Sequence, residues 1–273
     1  MLPLSPRPAI RAVCTAALTV ALLGWPMQAH AIMGGTPAAP GAWPWFAGIV
    51  DNTASQTAWG QFCGGVVIAP RRVLTAAHCL DDVDPDEVDV LLGRVRLTDR
   101  GGRRVPVKAI SVYPGYTSHS EEGLDAAVLH LAADARTPAI ALMQPGQESL
   151  WSAGTAAWTM GWGRMASGYF ADRLRQLAIP IVSDETCEET YGIGEFKVPY
   201  RPAWTVCAGA AGAPNVCGGD SGGPLVVGTP GAWLAVGVLT GRDADCKTPY
   251  PALFARVDRI AGWALRTRVR RST

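Results

Sequence analysis

Short apolar segments recur along most of the chain, and this pattern limits the available folds more than any other feature. Each segment is about as long as a β-strand and is bounded by Gly, Pro or Asp. The segments span residues 63–70, 72–76, 88–93, 126–132, 155–163, 224–227 and 233–241. The 273 residues include 31 Gly and 21 Pro, which suits one large or two small β-rich units better than a helical protein. The pattern therefore predicts antiparallel β-barrels.

Helical spacing appears at the end of the chain, from residue 257 to about residue 268. Its apolar residues fall on one helical face: Val257, Ile260, Ala261 and Ala264. A stretch containing Pro and Gly at 138–154 is the best boundary between two similar halves. We therefore expect three units: a barrel over about 32–142, a second over about 143–256, and a terminal helix with a basic tail over about 257–273.

The first 31 residues have the features of a secretory signal peptide. They contain Arg7 and Arg11 but no acid, then an apolar run over about 12–25, and they close on the small-x-small sequence that ends at Ala31. A membrane anchor is the alternative, but spanning a bilayer takes roughly 20 apolar residues and this run is shorter. We expect export to a secreted or periplasmic location, cleavage after Ala31, and no membrane association afterwards.

The charge of the mature chain argues against nucleic acid as a partner. Without the two arginines of the signal segment, 22 of the 24 Lys and Arg residues remain against 23 Asp and Glu, a formal net charge of −1. Nucleic-acid binding depends on neutralising phosphates with an excess of basic residues. The one basic cluster, from Arg266 onward, is typical of a solvated helix end.

The cysteine count indicates disulfides. Cys14 leaves with the signal segment, and an even number remains: Cys63, Cys79, Cys187, Cys207, Cys217 and Cys246. An even count in an exported chain favours disulfides over free thiols, although six cysteines can pair in 15 ways. A zinc site is disfavoured because the sequence has no Cys-x-x-Cys motif.

Three short motifs carry residues suited to nucleophilic catalysis. In CGGDSGGP, residues 217–224, small residues allow a sharp turn that exposes Ser221 and directs main-chain N–H groups toward one point. TAAHC places His78 beside a cysteine, and EEGLDAAVLHL places Asp125 at the start of an apolar strand. Taken singly, His78 is more often a structural histidine and Asp125 more often a strand cap. An unpartnered carboxylate would be costly to bury there.

Together, and in the order His78, Asp125, Ser221, these motifs resemble the chymotrypsin/trypsin-like serine endopeptidase family. The resemblance covers residues 32 to about 265 and includes GAWPWFAGI, CGGVVIAPRRVLTAAHC, GWG, CAG, CGGDSGGPL and YPALFARV. It implies two antiparallel six-stranded β-barrels with a C-terminal helix, and hydrolysis of peptide bonds through an acyl-enzyme. It also implies protein or peptide substrates, no cofactor, a monomer, and a protein inhibitor as a further candidate partner.

The resemblance implies a role for each matching residue. Ser221 would be the nucleophile, His78 the general base and then the acid, and Asp125 the group that orients the imidazole. The N–H groups of Gly219 and Ser221 would form the oxyanion hole. A new amino terminus at Ile32 would pair with Asp220 and order the site. The implied disulfides are Cys63–Cys79, Cys187–Cys207 and Cys217–Cys246.

The substrate pocket departs from the trypsin pattern. Trypsin-like members have Asp at the pocket floor, but this chain has Asn215, so a buried Lys or Arg of the substrate would lack its charge partner. The pocket wall reads Thr240-Gly241-Arg242, and Ala252 replaces a usual Gly. Arg242 either narrows the pocket, attracts an acidic side chain, or pairs locally with a neighbouring Asp.

Two further expectations follow from these departures. Calcium has no support, because the family's acidic ligand position is occupied by Arg94. The altered pocket wall also leaves an alternative function open, a protease-like binding or regulatory protein with impaired catalysis. The complete His78, Asp125 and Ser221 set favours an active enzyme.

Overall fold

The computed structural model describes residues 32, 35–117, 124–165, 167–192, 200–210, 213, 215–241 and 250–268. Fourteen β-strands lie in this part of the chain. They are β1 Thr36–Pro37, β2 Phe46–Asp51, β3 Gln61–Ala69, β4 Arg72–Thr75, β5 Val88–Leu92, β6 Arg103–Val112, β7 Ala127–Leu131, β8 Ala141–Leu142, β9 Ala156–Gly161, β10 Arg175–Pro180, β11 Thr205–Ala208, β12 Pro224–Thr229, β13 Ala232–Gly241 and β14 Ala252–Arg256.

Helices occupy a small part of the molecule. The α-helices are α1 Thr57–Gly60, α2 Asp184–Gly192 and α3 Val257–Arg266, and 3-10 turns span His78–Leu80, Pro85–Glu87 and Glu148–Trp151. None of the helices in the described ranges is long and apolar enough to cross a bilayer. The predominance of strands follows from the short, Gly-bounded apolar runs, which are too short for stable helices.

The first six-stranded unit is a closed barrel with the strand order β2-β3-β4-β7-β6-β5. All six neighbouring pairs are antiparallel. Its interior is apolar, and every residue of β7 is buried. The pairing of Thr75 with Ala127 brings the end of β4 beside the start of β7. This register matters because His78 follows β4 and Asp125 precedes β7.

The second unit is an eight-stranded sheet that includes the path β10-β9-β12-β13-β14-β11. An isolated antiparallel bridge between Ile181, just after β10, and Ala208 in β11 joins the two ends of this path. The hydrogen bonds from Val182 N–H to Cys207 O (2.8 Å) and from Gly209 N–H to Pro180 O (2.8 Å) reinforce the junction. Six strands therefore form a second barrel, and the predicted two-barrel fold with a C-terminal helix is confirmed.

The two remaining strands lie outside this second barrel path. The short strand β1 pairs with β10, so the N-terminal segment of the chain runs along the second barrel rather than the first. The strand β8 pairs in parallel with β13, an exception to the antiparallel pattern.

The terminal helix α3 packs against β13 and β8 and also contacts the first barrel. Val257, Ile260, Ala261 and Ala264 are all fully buried, as their helical spacing predicted. The ring of Trp263 packs edge-on to Tyr113, with 5.1 Å between ring centroids. The strand β1 and the helix α3 therefore each contact the other barrel, which ties the halves together.

The barrels meet through close backbone contact. A Cβ atom added to Gly64 of β3 would lie 3.0 Å from the Cα of Gly223, and one added to Gly48 would lie 3.0 Å from the Trp162 ring. The rings of Trp162 and Phe46 also pack with 5.2 Å between centroids. Glycine at these positions lets the Ser221 loop of the second barrel approach the strands of the first.

Candidate active site

His78 and Asp125 are joined by two hydrogen bonds. The imidazole Nδ1 lies 2.7 Å from Asp125 Oδ2, and the His78 backbone N–H donates to Oδ1 at 2.9 Å. The carboxylate therefore holds both the ring and the main chain of the histidine. Because Nδ1 is engaged, Nε2 is the ring nitrogen left to exchange a proton with a substrate or a nucleophile.

Thr240 connects this pair to the second barrel. Its hydroxyl donates to Asp125 Oδ2 from near the end of β13. The Asp125 side chain is 14% exposed and that of His78 is 34% exposed, so the carboxylate is inside and the imidazole reaches the surface. Asp125 is the partnered, buried carboxylate that its position at the start of an apolar strand required.

The protonation of this pair reflects opposing effects. Burial alone would lower the pKa of His78, but the hydrogen bond and the negative charge of Asp125 outweigh it, so the pKa is raised above its ordinary value. Burial alone would raise the pKa of Asp125, but the hydrogen bonds and charge of His78 and the Thr240 hydroxyl hold it below its usual range. The carboxylate is therefore ionised at neutral pH and stabilises the imidazolium form.

Ser221 lies on a loop that is fastened to the first barrel. The Gly64 N–H donates to Ser221 O at 2.7 Å, and the Thr75 hydroxyl donates to Gly64 O at 2.8 Å. At Gly222, φ is +75°, and an added Cβ would lie 2.2 Å from Thr75 Oγ1, so only glycine fits. The serine is thus positioned against β3 and the end of β4, the strand that leads to His78.

Gln61 holds the other side of the same loop. Its Nε2 donates to Gly219 O and to Cys63 O, both at 3.0 Å, and the residue is 5% exposed. Gly219 has φ +92°, a conformation that glycine adopts without strain. The sequence interpretation missed Gln61; its only signal is a polar residue at the start of an apolar strand, two positions before Cys63.

Asp220 is buried among backbone donors. It is 1% exposed, and it accepts hydrogen bonds from the N–H groups of Gly163 (2.8 Å) and Cys217 (2.9 Å). A Cβ on Gly161 would lie 2.1 Å from its Oδ1, so the strand end must be glycine. Ile32 is fully buried. Residues 1–31, including the expected signal segment and cleavage site, lie outside the described residues, as do residues 33 and 34.

Asn215 and Ala252, the expected floor and far wall of the substrate pocket, are both buried. Asn215 is 1% exposed; its amide donates to Tyr250 O at 3.1 Å and accepts from Val216 N–H at 2.8 Å. Ala252 is fully buried. The amide of Asn215 is thus neutral and already engaged with the main chain.

The expected wall of this pocket is partly described. At Gly241 an added Cβ would meet Leu253 atoms at 3.7–3.8 Å, an ordinary van der Waals contact. Arg242, the third wall residue, lies outside the described residues.

Two of the expected disulfides are present, Cys63–Cys79 and Cys187–Cys207. Cys217 is also disulfide-bonded, but Cys246, its expected partner, lies outside the described residues. His78 and the sulfurs of Cys63 and Cys79 lie within 4.8 Å of one another, a grouping that could otherwise suit a metal. Because the two sulfurs are bonded to each other, they do not serve as thiolate ligands.

Arg94 places a fixed cation in the loop after β5. Its Nε donates to Gly101 O at 2.7 Å and its Nη1 donates to Leu97 O at 3.2 Å. Arg94 therefore brings a guanidinium, rather than a carboxylate, to this loop.

Comparison with known proteins agrees with this geometry. The family model described as Trypsin matches residues 32–264. The chain is 33% identical to a trypsin of Saccharopolyspora erythraea over 199 residues, 72% of this chain and 82% of that protein. It is 31% identical to serine protease 28 of Mus musculus over 242 residues, 85% of this chain and 87% of that protein.

Proposed function

The chain belongs to the trypsin family of serine endopeptidases, and from this premise we propose that Ser221, His78 and Asp125 are its catalytic triad. The observation that carries the proposal is the 2.7 Å bond between His78 Nδ1 and Asp125. It leaves Nε2 as the nitrogen that accepts the hydroxyl proton of Ser221. The buried carboxylate then stabilises the imidazolium that forms.

In the proposed reaction, Ser221 Oγ attacks the carbonyl carbon of the peptide bond while its proton moves to His78 Nε2. The C–N bond then breaks, and the imidazolium gives that proton to the departing amine. Water hydrolyses the ester by the same steps in reverse order, with His78 again acting as base. Hydrolysis of a protein or peptide substrate by these steps therefore needs no cofactor.

The negative oxygen of the tetrahedral intermediate would be bound by the N–H groups of Gly219 and Ser221. The bond from Arg164 N–H to Gly218 O (2.8 Å) supports this role, because Gly218 O and Gly219 N–H belong to the same peptide group. The Gln61 bond to Gly219 O and the Gly64 bond to Ser221 O fix the adjoining peptide groups of the loop. One such donor is worth roughly 10²–10³ in turnover.

We further propose that the residue before the scissile bond is uncharged or acidic rather than Lys or Arg. The neutral Asn215 supports this proposal, because a buried cation there would lack a charge partner. The wall residues Thr240, Gly241 and Arg242, with Ala252 opposite, would set the size and charge of the accepted side chain.

The signal-like segment and the disulfides support a secreted or periplasmic location. Fractionation of cells that express the full chain tests it. We expect the mature protein outside the cytoplasm, and accumulation of the full-length chain in the cytoplasm would contradict the proposal.

A fluorophosphonate probe tests the proposed nucleophile. We expect labelling of the mature enzyme, and loss of labelling in Ser221→Ala and in His78→Ala, with Ser152→Ala, an exposed serine, as the matched control. The double variant should be little worse than either single one, since the triad acts as a unit. Labelling that persists in Ser221→Ala would contradict the assignment.

A peptide library tests the specificity separately. We expect cleavage after uncharged or acidic residues. A profile dominated by Arg or Lys would overturn the pocket proposal while leaving the triad intact.

A further inference from the structure

The 3-10 turn that carries His78 is held at both ends by the part of the chain around Asp125. At its first residue, the His78 N–H donates to Asp125 Oδ1 at 2.9 Å. Just past its last residue, the Asp81 carboxylate accepts a hydrogen bond from the Tyr116 hydroxyl, which lies 3.1 Å from Oδ2 and 3.3 Å from Oδ1. The first attachment belongs to the triad described above, and the second lies outside it.

Tyr116 donates this bond from a fixed position in the turn after β6. Its N–H donates to Tyr113 O at 3.1 Å, and Gly115 between them has φ +90°. The Tyr113 N–H in turn donates to Ala126 O at 2.9 Å, next to Asp125. The Tyr116 ring is half-buried and packs against the apolar core. The backbone that carries Asp125 therefore also sets the position of the phenol.

The Tyr116 hydroxyl remains a donor at neutral and mildly alkaline pH. Burial raises the pKa of Tyr116, and the charge of Asp125 and the hydrogen bond and charge of Asp81 raise it further. The phenol is therefore protonated and neutral. It donates its proton to Asp81 and adds no charge of its own near His78.

Asp81 acts on the imidazole through its charge. Burial lowers the pKa of His78, and two carboxylates of the described part of the chain raise it, Asp125 by a hydrogen bond and its charge and Asp81 by its charge alone. Asp81 is only half-buried, so an unrestrained carboxylate would turn toward solvent, where water weakens its effect. The hydrogen bond from Tyr116 restricts it to one position.

We propose that Tyr116 and Asp81 are a positioning pair, whose hydrogen bond fixes the second end of the His78 turn and keeps a second carboxylate at a constant distance from the imidazole. The inference rests on the proposed peptidase function. Both residues act through His78 rather than on the substrate. The pair adjusts the pH at which the imidazole becomes a base, in addition to the effect of Asp125.

Two substitutions separate the charge from the hydrogen bond. Asp81→Asn removes the charge and keeps an oxygen that can accept from Tyr116, whereas Tyr116→Phe keeps the ring and removes the donor. The pH dependence of kcat/KM measures both effects. In each variant we expect the acid limb, where the imidazole gains a proton, to move to lower pH. In Tyr116→Phe, kcat/KM above this limb should also fall about threefold to tenfold, because the turn has lost an attachment.

The double variant Asp81→Asn/Tyr116→Phe shows whether the tyrosine acts through the carboxylate. If it does, its removal leaves no further charge to release, and the acid limb should lie where it lies in Asp81→Asn alone. Additive shifts would overturn the inference. A bond that only stabilises the fold would lower the midpoint of thermal unfolding and leave the limb of both single variants in place, which would also overturn it.

Asp82→Asn and Tyr113→Phe are the matched controls. Asp82 is the next residue, is exposed and has φ +58°, which asparagine tolerates. Tyr113 belongs to the same turn as Tyr116 but packs against Trp263. Both variants should keep the parent limb, and a shift in Asp82→Asn as large as in Asp81→Asn would overturn the inference alone. A parent enzyme without fluorophosphonate labelling or peptide cleavage would overturn the proposed function and this inference together.

Discussion

At the scale of single residues, two opposing effects act on the pKa of His78. Burial disfavours the imidazolium, whereas Asp125 stabilises it through a hydrogen bond and its charge, and the net result is a raised pKa. Only the neutral imidazole can accept the Ser221 proton. Activity should therefore be lost as the pH falls through a pKa that lies above the ordinary value of about 6.5.

In Asp125→Asn the low-pH limb of kcat/KM should move to lower pH, because burial then acts on the imidazole without an opposing charge. Turnover should also fall by about 10⁴, since the orienting carboxylate is lost. The more distant Asp81 also raises the pKa of His78, so Asp81→Asn should give a smaller shift in the same direction. A pH–rate profile checks both variants, and an acid limb that stays in place in Asp125→Asn would contradict the assignment.

Gln61 offers a second test at this scale. Among the described residues its Oε1 is buried without a hydrogen-bond partner, while its Nε2 holds Gly219 O. Gln61→Met keeps the volume and removes the unpaired oxygen, but it also takes the donor from the carbonyl oxygens of Gly219 and Cys63, so the free energy of unfolding should fall by about 1–3 kcal/mol. We expect kcat to fall about tenfold with little change in KM, less than the roughly 10²–10³ for outright loss of an oxyanion donor.

Steady-state kinetics and thermal unfolding measure these two effects separately. Gln144→Met, a change of the same kind at an exposed position, is the matched control. An unchanged kcat in Gln61→Met would show that the loop holds its orientation without this bond.

At the scale of elements, the sequence predicted those strands that consist of a continuous apolar run. The apolar runs at 63–70 and 233–241 correspond to β3 and β13. The strand β6 was not among the predicted segments, because Arg103, Arg104 and Lys108 interrupt its apolar residues. Alternating buried and exposed positions along such a strand carry a weaker signal than a continuous apolar run.

The candidate site shows the same limit. The motifs around His78, Asp125 and Ser221 are local and could be recognised in the sequence. The bond between Gln61 and Gly219 joins residues 158 positions apart. No local pattern reports contacts of this kind.

Comparing the two described disulfides separates the effect of a cross-link on overall stability from its effect on the position of His78. Their sequence separations, 16 and 20, are similar, so removing either should lower the free energy of unfolding by about 3 kcal/mol on the chain-entropy estimate. Cys63–Cys79 adjoins His78, whereas Cys187–Cys207 links α2 to β11. Only the Cys63→Ala/Cys79→Ala variant should therefore lose most of its rate of fluorophosphonate labelling.

Denaturant unfolding measures the loss of stability in each variant, and the rate of fluorophosphonate labelling measures the effect on the active site. The Cys187→Ala/Cys207→Ala variant is the control, with the same loss of stability but a labelling rate near that of the parent. Equal losses of labelling in both variants would show that global stability, rather than the position of His78, governs the site.

At the scale of the whole molecule, both ends of the domain make contacts with the other barrel. The pairing of β1 with β10 carries the N-terminal segment along the second barrel, beside the strand that ends at Gly161. That glycine contacts the carboxylate of Asp220, and Ile32 is buried. An amino terminus created at Ile32 would therefore belong to the same barrel as the Ser221 loop.

We accordingly predict that removal of the signal segment itself activates the enzyme, with no separate zymogen stage. Cleavage after Ala31 would give Ile32 a free α-ammonium that pairs with Asp220. One additional residue would displace this charge and leave the buried carboxylate without it, at a cost of roughly 3–5 kcal/mol. A chain that retains Ala31 should therefore be roughly 100-fold to 4,000-fold less active than one that begins at Ile32.

Intact mass and N-terminal sequencing of the exported protein show where the mature chain begins. Kinetics of the chains that begin at Ala31 and at Ile32 measure the loss of activity caused by the additional residue. Asp220→Asn should lose activity to a similar extent, whereas Asp134→Asn, which alters an exposed ion pair with Arg71, should not. Because the pair requires the protonated amine, activity should fall as the pH rises through titration of the α-ammonium. An active mature chain that begins at any residue other than Ile32, or a fully active Asp220→Asn variant, would show that the site is ordered without this pair.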